Sequence, residues 1–231
     1  MNAPAPTTQI TPNLTDAMTM QRLGMIAQLR GEYKITDERV LEVMAALPRH
    51  QFVPESIKSQ AYKNNALPIA GGQTISQPFI VARMTELLGL TGQEKVLEIG
   101  AGSGYQTAVL ASLARKVFAI ERLSILADEA NRRLQMLGFR NFTLKAGDGT
   151  SGWDTYMPYD AILVAAGGPS IPEPLVKQLK VGGKLVIPIG GEQRSQMLIR
   201  VTRTVNGYTQ ENFGPCAFVP LIGEHGWGQN R

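Results

Sequence analysis

The chain has 231 residues, 43% of them hydrophobic, and a formal net charge of +4, which fits one α/β domain with a sizeable core. Its basic residues are scattered, with Arg132-Arg133 the longest run; this disfavours a nucleic-acid-binding surface, which clusters basic residues on one face. With one cysteine, Cys216, and two histidines, the sequence excludes an intrachain disulfide and a cysteine metal cluster and predicts no metal site.

The N-terminal segment, residues 1–14, is rich in Pro, Thr and Asn and has no apolar period. This predicts a disordered tail before a single domain over 15–231. We see no basic region followed by an apolar stretch, as in a secretory signal, and no run of about 20 apolar residues, as in a membrane span. We therefore expect a soluble cytoplasmic protein that does not associate with membranes.

The region before residue 90 is predicted to contain three helices. Apolar residues at rough helical spacing follow Thr15, and a clearer helix follows Thr36, with acidic residues at its start and Pro48 at its end. Residues 49–77 contain prolines and paired glycines and are predicted to be irregular. A third helix begins near Pro78 and has its apolar residues on one face.

From residue 95 onward, strands and helices are predicted to alternate. The predicted strands lie near 95–99, 116–121, 142–146, 159–164 and 183–189, and the predicted helices near 104–114, 124–137 and 172–180. This alternation predicts an α/β fold, a doubly wound and mostly parallel sheet of the Rossmann-like kind. Residues 196–203 and 207–213 are predicted to add an antiparallel C-terminal hairpin that turns at Asn206-Gly207.

A glycine-rich motif follows the first strand of the predicted sheet. Residues 96–104 read Val-Leu-Glu-Ile-Gly-Ala-Gly-Ser-Gly, and glycines lack the Cβ that would keep a ligand away from the backbone. We expect the amides of Gly100, Gly102 and Gly104 to face the polar end of an adenosine-containing cofactor. A dinucleotide fingerprint would need its third glycine at position 105, which is Tyr105. The spacing instead resembles the first motif of S-adenosylmethionine-dependent methyltransferases.

Three acidic residues are candidate parts of the same cofactor site. Glu98 precedes the glycines and is expected to hold the amides of their loop. Glu121 ends the second predicted strand of the sheet, where its carboxylate can accept hydrogen bonds from both ribose hydroxyls; the alternative is a surface acid. Asp148 follows the third strand, where the carboxylate or a neighbouring amide, as at Gly149, could contact the adenine amino group; the alternative is a plain Asp-Gly turn.

An uncharged segment from Ala66 to Pro78 lies outside this predicted cofactor site. It carries hydroxyl and amide side chains and ends where a helix is predicted to begin. From residue types alone, Ser76 or Gln77 could be a helix N-cap before Pro78. A functional role for these side chains is an equal alternative.

Four segments of the chain resemble the protein-L-isoaspartate O-methyltransferase family. They are Gly-Gln-Thr-Ile-Ser-Gln-Pro at 72–78, Val-Leu-Glu-Ile-Gly-Ala-Gly-Ser-Gly-Tyr at 96–105, Gly-Asp-Gly at 147–149 and Phe-Val-Pro-Leu at 218–221. The 72–78 segment is the most specific, because other methyltransferases of this cofactor class lack it. The resemblance implies transfer of the S-adenosylmethionine methyl group to the α-carboxylate of L-isoaspartyl residues in damaged proteins. The ester then closes spontaneously to a succinimide.

The resemblance also implies roles for particular residues. Ser76 matches the active-site serine of the family. The implied substrate-binding residues are Thr74, Ile75, Gln77, Val219, Pro220 and Leu221. The expected cofactor-binding residues are Glu98, Gly100, Gly102, Gly104, Glu121, Asp148 and Gly149.

Two departures from the family pattern follow the fourth predicted strand of the sheet. Ala165 stands where the family often has threonine, and Gly167-Gly168 replaces a run richer in alanine or proline. Because these changes lie at the rim of the fourth strand, we expect them to affect substrate preference more than the chemistry.

Two other functions stay open at this point. One is a methyltransferase for nucleic acid or a small molecule; for DNA amino groups, the absence of an Asn/Asp-Pro-Pro-Tyr segment after the fourth strand disfavours it. The other is a regulator that binds S-adenosylmethionine without catalysis, which the 72–78 segment disfavours.

Overall fold

The computed structural model describes residues 17–192 and 195–228, so the predicted tail over 1–14 lies outside the described residues. Three N-terminal helices confirm the sequence prediction: α1 (Ala17–Gly31), α2 (Glu38–Ala46) and α3 (Pro78–Leu88). The helix α2 begins where the Asp37 carboxylate accepts a hydrogen bond from the Arg39 amide at 3.0 Å. No helix within 17–192 and 195–228 has the length and apolar content needed to cross a membrane.

The segment between α2 and α3, which was predicted to be irregular, contains short elements of regular secondary structure. It contains three 3₁₀ turns, Arg49–Phe52, Glu55–Gln60 and Ala70–Gly72, and a small antiparallel ribbon of β1 (Leu67–Pro68) and β2 (Thr74–Ile75). Within β2, Ile75 is buried and Thr74 is exposed, as expected for alternate residues of a strand that covers a core. The ribbon therefore holds the uncharged 66–78 segment in a fixed position.

A seven-stranded sheet forms the centre of the molecule, in the order β5-β4-β3-β6-β7-β8-β9. Its strands are β3 (Lys95–Ile99), β4 (Lys116–Glu121), β5 (Phe142–Ala146), β6 (Tyr159–Val164), β7 (Leu179–Glu192), β8 (Ser195–Thr204) and β9 (Gly207–Cys216). The helices between them are α4 (Tyr105–Leu113), α5 (Ser124–Met136) and α6 (Glu173–Gln178). The first five strands in chain order, β3 to β7, pair in parallel, and β7, β8 and β9 pair antiparallel. The predicted doubly wound fold with a C-terminal hairpin is confirmed.

Several predicted boundaries are wrong: the strand predicted at 207–213 extends to Cys216, and the helix predicted at 172–180 is limited to Glu173–Gln178. The hairpin turn is one residue earlier than predicted, because Thr204 pairs with Gly207 and leaves Val205 and Asn206 as the turn. The strand predicted at 183–189 extends over Leu179–Glu192, because pairing with β6 and β8 continues beyond its apolar centre. The differences in the turn and the strands arise from cross-strand pairing, which local residue preferences do not encode.

The sheet is covered on both faces, and its strand order locates a ligand crevice. Val96 belongs to a core with the N-terminal helices and α4, whereas its neighbour Leu97 belongs to a second core with residues such as Leu175 of α6. The strand β4 lies on one side of β3, and β6 lies on the other. Their connections therefore diverge at the carboxyl end of β3, which is where open parallel sheets bind ligands.

Candidate functional site

A cavity of about 390 Å³ lies at this edge of the sheet, within the usual size range of small-molecule sites. It is formed by the glycine loop, the end of β4, the loop after β5, the β1–β2 ribbon and the C-terminal segment. The lining residues are Gln73, Thr74, Ile99, Gly100, Gly102, Ile120, Glu121, Arg122, Leu123, Gly149, Ala165, Ala166, Val219, Pro220, Leu221 and Ile222. Segments that are up to about 150 residues apart in sequence thus meet at one site.

The glycine loop has the backbone conformation that its sequence predicts, but its amides point elsewhere. Gly100, Gly102 and Gly104 have φ angles of 89°, 52° and 86°, which residues with a Cβ rarely adopt. The Gly100 amide donates to the Ile120 carbonyl at 2.8 Å, and the Gly104 amide donates to the Ala101 carbonyl at 2.8 Å. The Gly102 amide is also used inside the protein. The expectation that these amides face a cofactor is therefore not met, because two of them bond to the end of β4 and the third bonds within the loop.

These glycines instead allow close approach. Gly100 and Gly102 line the cavity, so a ligand can lie against their backbone. Gly104 is away from the cavity lining and packs against α5: a Cβ built on it would lie 3.2 Å from Cβ of Ala130. The third glycine of the motif is thus explained by the contact between two helices.

Glu121 is the buried acid of the cavity. Its side chain is 6% exposed; Oε2 accepts a hydrogen bond from the Gly102 amide at 2.8 Å, and Oε1 accepts one from the Leu123 amide at 3.0 Å. A carboxylate has about four acceptor positions, so both oxygens keep the capacity to accept from the neighbouring hydroxyls of a ribose. The sequence-based alternative, a surface acid, does not fit this burial.

Glu98 has a different environment from the one predicted. It is fully buried, and neither carboxyl oxygen has a hydrogen-bond partner among the described residues. Among the glycine-loop amides that it was expected to hold, that of Gly102 is bound by Glu121 instead. Burial raises the pKa of Glu98 to about 8, and the Thr107 hydroxyl opposes this only in part. That hydroxyl also falls short of hydrogen-bond geometry, since its oxygen is itself without a partner.

Asp148 links the loop after β5 to the C-terminal segment. Its Oδ1 accepts hydrogen bonds from the amide and the hydroxyl of Thr150 at 2.8 and 2.7 Å, and its Oδ2 accepts one from the Glu224 amide at 2.8 Å. Burial alone would raise the pKa of Asp148, but these hydrogen bonds hold it below its usual range. Its neighbour Gly149 lines the cavity. Contact of this pair with an adenine group stays a prediction.

The 72–78 segment reaches the cavity through Gln73 and Thr74, whereas Ser76 and Gln77 are not among the lining residues. Thr74 lines the cavity, whereas Ile75 is packed in the core below it. Ser76 is half-buried and lies next to Gln77, which holds the N-cap position of α3 without capping it through its side chain. The Oδ1 atom of Asn64 accepts the hydrogen bond from the Phe79 amide at 2.9 Å instead. Since Asn64 satisfies this end of α3, helix capping does not account for Ser76 and Gln77.

The C-terminal segment is fixed by one of the glycines that depart from the family pattern. The Gly167 amide donates to the Val219 carbonyl at 2.8 Å, and the Gly167 carbonyl accepts from the Leu221 amide at 2.8 Å and from the Trp227 indole at 2.9 Å. A Cβ on Gly167 would lie 2.7 Å from Cδ of Gln196. The lack of a side chain on Gly167 therefore leaves room for the Gln196 side chain. Val219, Pro220 and Leu221 all line the cavity, as predicted.

Eight further lining residues were not among the predicted site residues: Gln73, Ile99, Ile120, Arg122, Leu123, Ala165, Ala166 and Ile222. Gln73 and Ile222 are next in sequence to predicted substrate-binding residues, and Arg122 and Leu123 directly follow Glu121. Their position next to predicted site residues was the sequence signal that could have identified them. Leu123 packs closely against the turn between β1 and β2. A Cβ built on Gly71 of that turn would lie only 2.6 Å from the Cδ1 atom of Leu123.

Groups typical of nucleophilic or metal chemistry lie outside the cavity lining. The Nδ1 atom of His50 is 2.6 Å from the Tyr62 hydroxyl, and His225 lies near Asp148. Burial raises the pKa of Cys216 to about 11, so its thiol is protonated at neutral pH. Within the described part of the chain, no group of three or more His, Cys, Asp or Glu residues is arranged to hold a metal ion.

Comparison with known sequences gives one consistent result. A family model described as protein-L-isoaspartate(D-aspartate) O-methyltransferase matches residues 20–226. The chain is 53% identical over 218 residues to a protein-L-isoaspartate O-methyltransferase of Syntrophus aciditrophicus, covering 93% of this chain and 99% of the relative. It is 54% identical over 193 residues to one of Dictyoglomus thermophilum, covering 84% and 87% of the two chains.

Comparison with solved structures agrees. A protein-L-isoaspartate O-methyltransferase superposes with a TM-score of 0.81 and 28% identity, covering 89% of this chain and 67% of that one. A Plasmodium falciparum protein solved in complex with S-adenosyl-L-homocysteine has a TM-score of 0.75 at 24% identity, covering 87% and 98%. The second structure shows that the fold is shared.

Proposed function

The chain belongs to the protein-L-isoaspartate O-methyltransferase family, and we propose that the cavity at the carboxyl ends of β3 and β4 is its active site. The enzyme transfers the methyl group of S-adenosylmethionine to the α-carboxylate of L-isoaspartyl residues in damaged proteins and peptides. One observation carries the site assignment. The same cavity is lined on one side by Gly100, Gly102 and Glu121, and on the other by Thr74 and the segment 219–221.

The residues of the first side fit the cofactor. Glu121 is buried, is fixed by two backbone amides and keeps acceptor capacity for the two ribose hydroxyls. Gly100 and Gly102 let the methionine part lie against the backbone, and Gly149 borders the region where the adenine would bind. When bound, S-adenosylmethionine supplies a methyl group already activated by its positively charged sulfur.

The residues of the second side fit the acceptor. We assign the Ser76 hydroxyl, with the 72–77 loop, to holding the acceptor carboxylate in line with the methyl group, and the 219–221 segment to the substrate backbone. A carboxylate with a pKa near 4 is ionised at neutral pH, so the protein needs no general base. Alignment of the reacting atoms can supply several kcal/mol, up to about 7–11 in favourable cases.

The remaining assignments are also proposals. We assign residues 15–231 to a single methyltransferase domain, supported by core clusters that include residues from α1 through Leu221. We also propose that nucleic acid is not an acceptor, since the basic residues are scattered along the chain. A cytoplasmic location stays a prediction from the sequence.

The test is transfer of labelled methyl groups from S-adenosylmethionine to paired synthetic peptides that differ only in one L-isoaspartate or L-aspartate. We expect base-labile label on the isoaspartyl peptide alone, because a methyl ester is cleaved by base and an N-methyl group is not. Label on both peptides would remove the isoaspartyl specificity. Label on neither, with the cofactor still bound, would favour another acceptor or a binding function.

A further inference from the structure

The guanidinium of Arg49 is fully buried beneath the proposed acceptor loop. Its Nε donates a hydrogen bond to the Ala61 carbonyl at 2.7 Å, and its Nη2 donates one to the Ser76 carbonyl at 2.7 Å. Its Nη1 is buried without a hydrogen-bond partner among the described residues. Arg49 thus connects the 3₁₀ turn after α2 directly to the backbone of Ser76.

This buried charge has no carboxylate partner. None of the ion pairs among the described residues includes Arg49, and its Cζ lies 4.8 Å from the ring centroid of Tyr105. Burial lowers the pKa of Arg49 to about 10, so it stays protonated at neutral pH. An ion without a counter-ion is costly to bury, and such groups are more frequent at functional sites than elsewhere.

Tyr105 extends the contact to the helix that follows the glycine loop. It is the first residue of α4 and directly follows Gly104 of the glycine loop. Its ring is buried, and its hydroxyl has no hydrogen-bond partner among the described residues. The Arg49 side chain therefore lies between the helix that begins at the cofactor loop and the loop that we assign to the acceptor.

We propose that Arg49 is a positioning residue for the methyl acceptor: it fixes the Ser76 backbone and adds positive charge beneath the site that receives a carboxylate. This inference rests on the proposed role of the 72–77 loop. Arg49 does not line the cavity, so it acts through Ser76 and through its charge. The competing explanation is a structural connection between two loops, with no effect on the reaction.

The experiment compares Arg49→Met and Arg49→Lys with Arg39→Met as the matched control. The Arg39 side chain also donates to a backbone carbonyl, that of Leu90 at 2.7 Å, but it is on the exposed surface of α2. Binding of S-adenosylmethionine is measured by calorimetry, and KM and kcat are measured with the isoaspartyl peptide at saturating cofactor. We expect Arg49→Met to raise the peptide KM about 10- to 100-fold, as for loss of a hydrogen bond to a charged group. Its cofactor Kd should stay within about threefold.

The Lys variant separates positioning from structure. Lysine keeps the charge but lacks the planar fork that reaches two carbonyls, so Arg49→Lys should recover part of the lost peptide affinity. Arg39→Met should match the wild type. A folded Arg49→Met enzyme with unchanged peptide KM would overturn the proposal, as would a cofactor Kd that rises as much as KM. Failure of both Arg49 variants to fold would show a structural role and overturn it too.

The same assays distinguish this inference from the proposed function. A wild-type protein that does not methylate the isoaspartyl peptide would refute the proposed function itself. If the wild type is active and Ser76→Ala has normal kinetics, the role of Ser76 fails, and the route from Arg49 through Ser76 fails with it. If Ser76→Ala is impaired and Arg49→Met is not, only the inference about Arg49 is wrong.

Discussion

The carboxylate of Glu121 accepts a hydrogen bond from the amide of Gly102 at 2.8 Å. The acid that ends β4 therefore fixes the glycine loop that follows β3. The same carboxylate also binds the Leu123 amide at 3.0 Å, so it holds both sides of the crevice between the two strands. One buried side chain thus shapes the loop and provides the acceptor atoms that we assign to the ribose.

Glu121→Gln is predicted to weaken cofactor binding first. A glutamine amide has only one acceptor oxygen, so its NH₂ group would face one of the two backbone amides that the carboxylate now binds. We expect the Kd for S-adenosylmethionine, measured by calorimetry, to rise about tenfold or more. The control is Glu42→Gln, an exposed change on α2. Unchanged affinity in Glu121→Gln would remove this residue from the cofactor site.

Ser76→Ala is predicted to lower the rate of methyl transfer and leave cofactor binding intact. The substitution removes the hydroxyl that we assign to the acceptor carboxylate, and kcat/KM should fall about 10- to 100-fold. The control is Ser112→Ala, whose hydroxyl donates to the Ala108 carbonyl within α4, away from the cavity lining. An equal loss of cofactor affinity in Ser76→Ala would contradict the assignment, since the hydroxyl would then serve both ligands.

Most strands of the parallel sheet were predictable because they contain apolar runs bounded by turn residues. The strand β3, for example, has the predicted bounds 95–99. Glu121 was identified for the same reason, since the end of a parallel strand next to a glycine loop is a defined place in the fold.

The parts that sequence reasoning missed depend on contacts between distant segments. Arg49 is bonded to Ser76, which is 27 residues away, and Trp227 is bonded to Gly167, which is 60 residues away. Burial and partners of this kind are set only when the chain is folded. For the same reason, the Gly102 amide donates its hydrogen bond to Glu121 on a neighbouring strand and not to Glu98, which is nearer in sequence.

Asp148→Asn is predicted to loosen the C-terminal segment. The Asn amide can accept from Thr150 with its oxygen, but its NH₂ would then face the Glu224 amide, which is also a donor. We expect faster hydrogen exchange over 221–228 and a higher KM for the isoaspartyl peptide. The control is Asp128→Asn, an exposed change on α5.

The pH dependence gives a second test of Asp148. Because the pKa of Asp148 is held below its ordinary value, its contribution to the free energy of unfolding is complete above that ordinary value, about 3.9. The contribution is lost as the pH falls through the lowered pKa.

The hydrogen-exchange experiment has a clear opposing outcome. Slow exchange over 221–228 in Asp148→Asn, equal to that of the wild type, would show that this carboxylate does not hold the segment.

Glu98→Gln is predicted to change the pH dependence of stability. Burial raises the pKa of Glu98 to about 8, so between its unfolded pKa and about 8 the folded protein keeps a proton that the unfolded chain releases. The free energy of unfolding contributed by this group is greatest below the unfolded pKa and falls as the pH rises, by up to about 1.4 kcal/mol per unit. Glutamine has the same shape and does not titrate.

Urea unfolding of the cofactor-free proteins between pH 5.5 and 8 measures this difference. We expect Glu98→Gln to gain stability relative to the wild type as the pH rises, by on the order of 3 kcal/mol across the range. Groups common to both proteins cancel in the comparison. A constant difference would mean that Glu98 does not titrate in this range.

Gly167→Ala tests whether the departure from the family pattern fixes the substrate segment. The added Cβ would lie 2.7 Å from Cδ of Gln196, a buried side chain whose Oε1 accepts a hydrogen bond from the Phe218 amide at 2.9 Å. Overpacking of this kind costs about 1–3 kcal/mol, and displacement of Gln196 should also move the start of the 218–221 segment. We therefore expect a lower melting temperature together with a higher peptide KM and an unchanged cofactor Kd. The control is Gly191→Ala, whose Cβ would have no neighbour within 4 Å. If Gly167→Ala loses stability but keeps its peptide KM, the glycine serves packing alone, and the position of 218–221 does not depend on it.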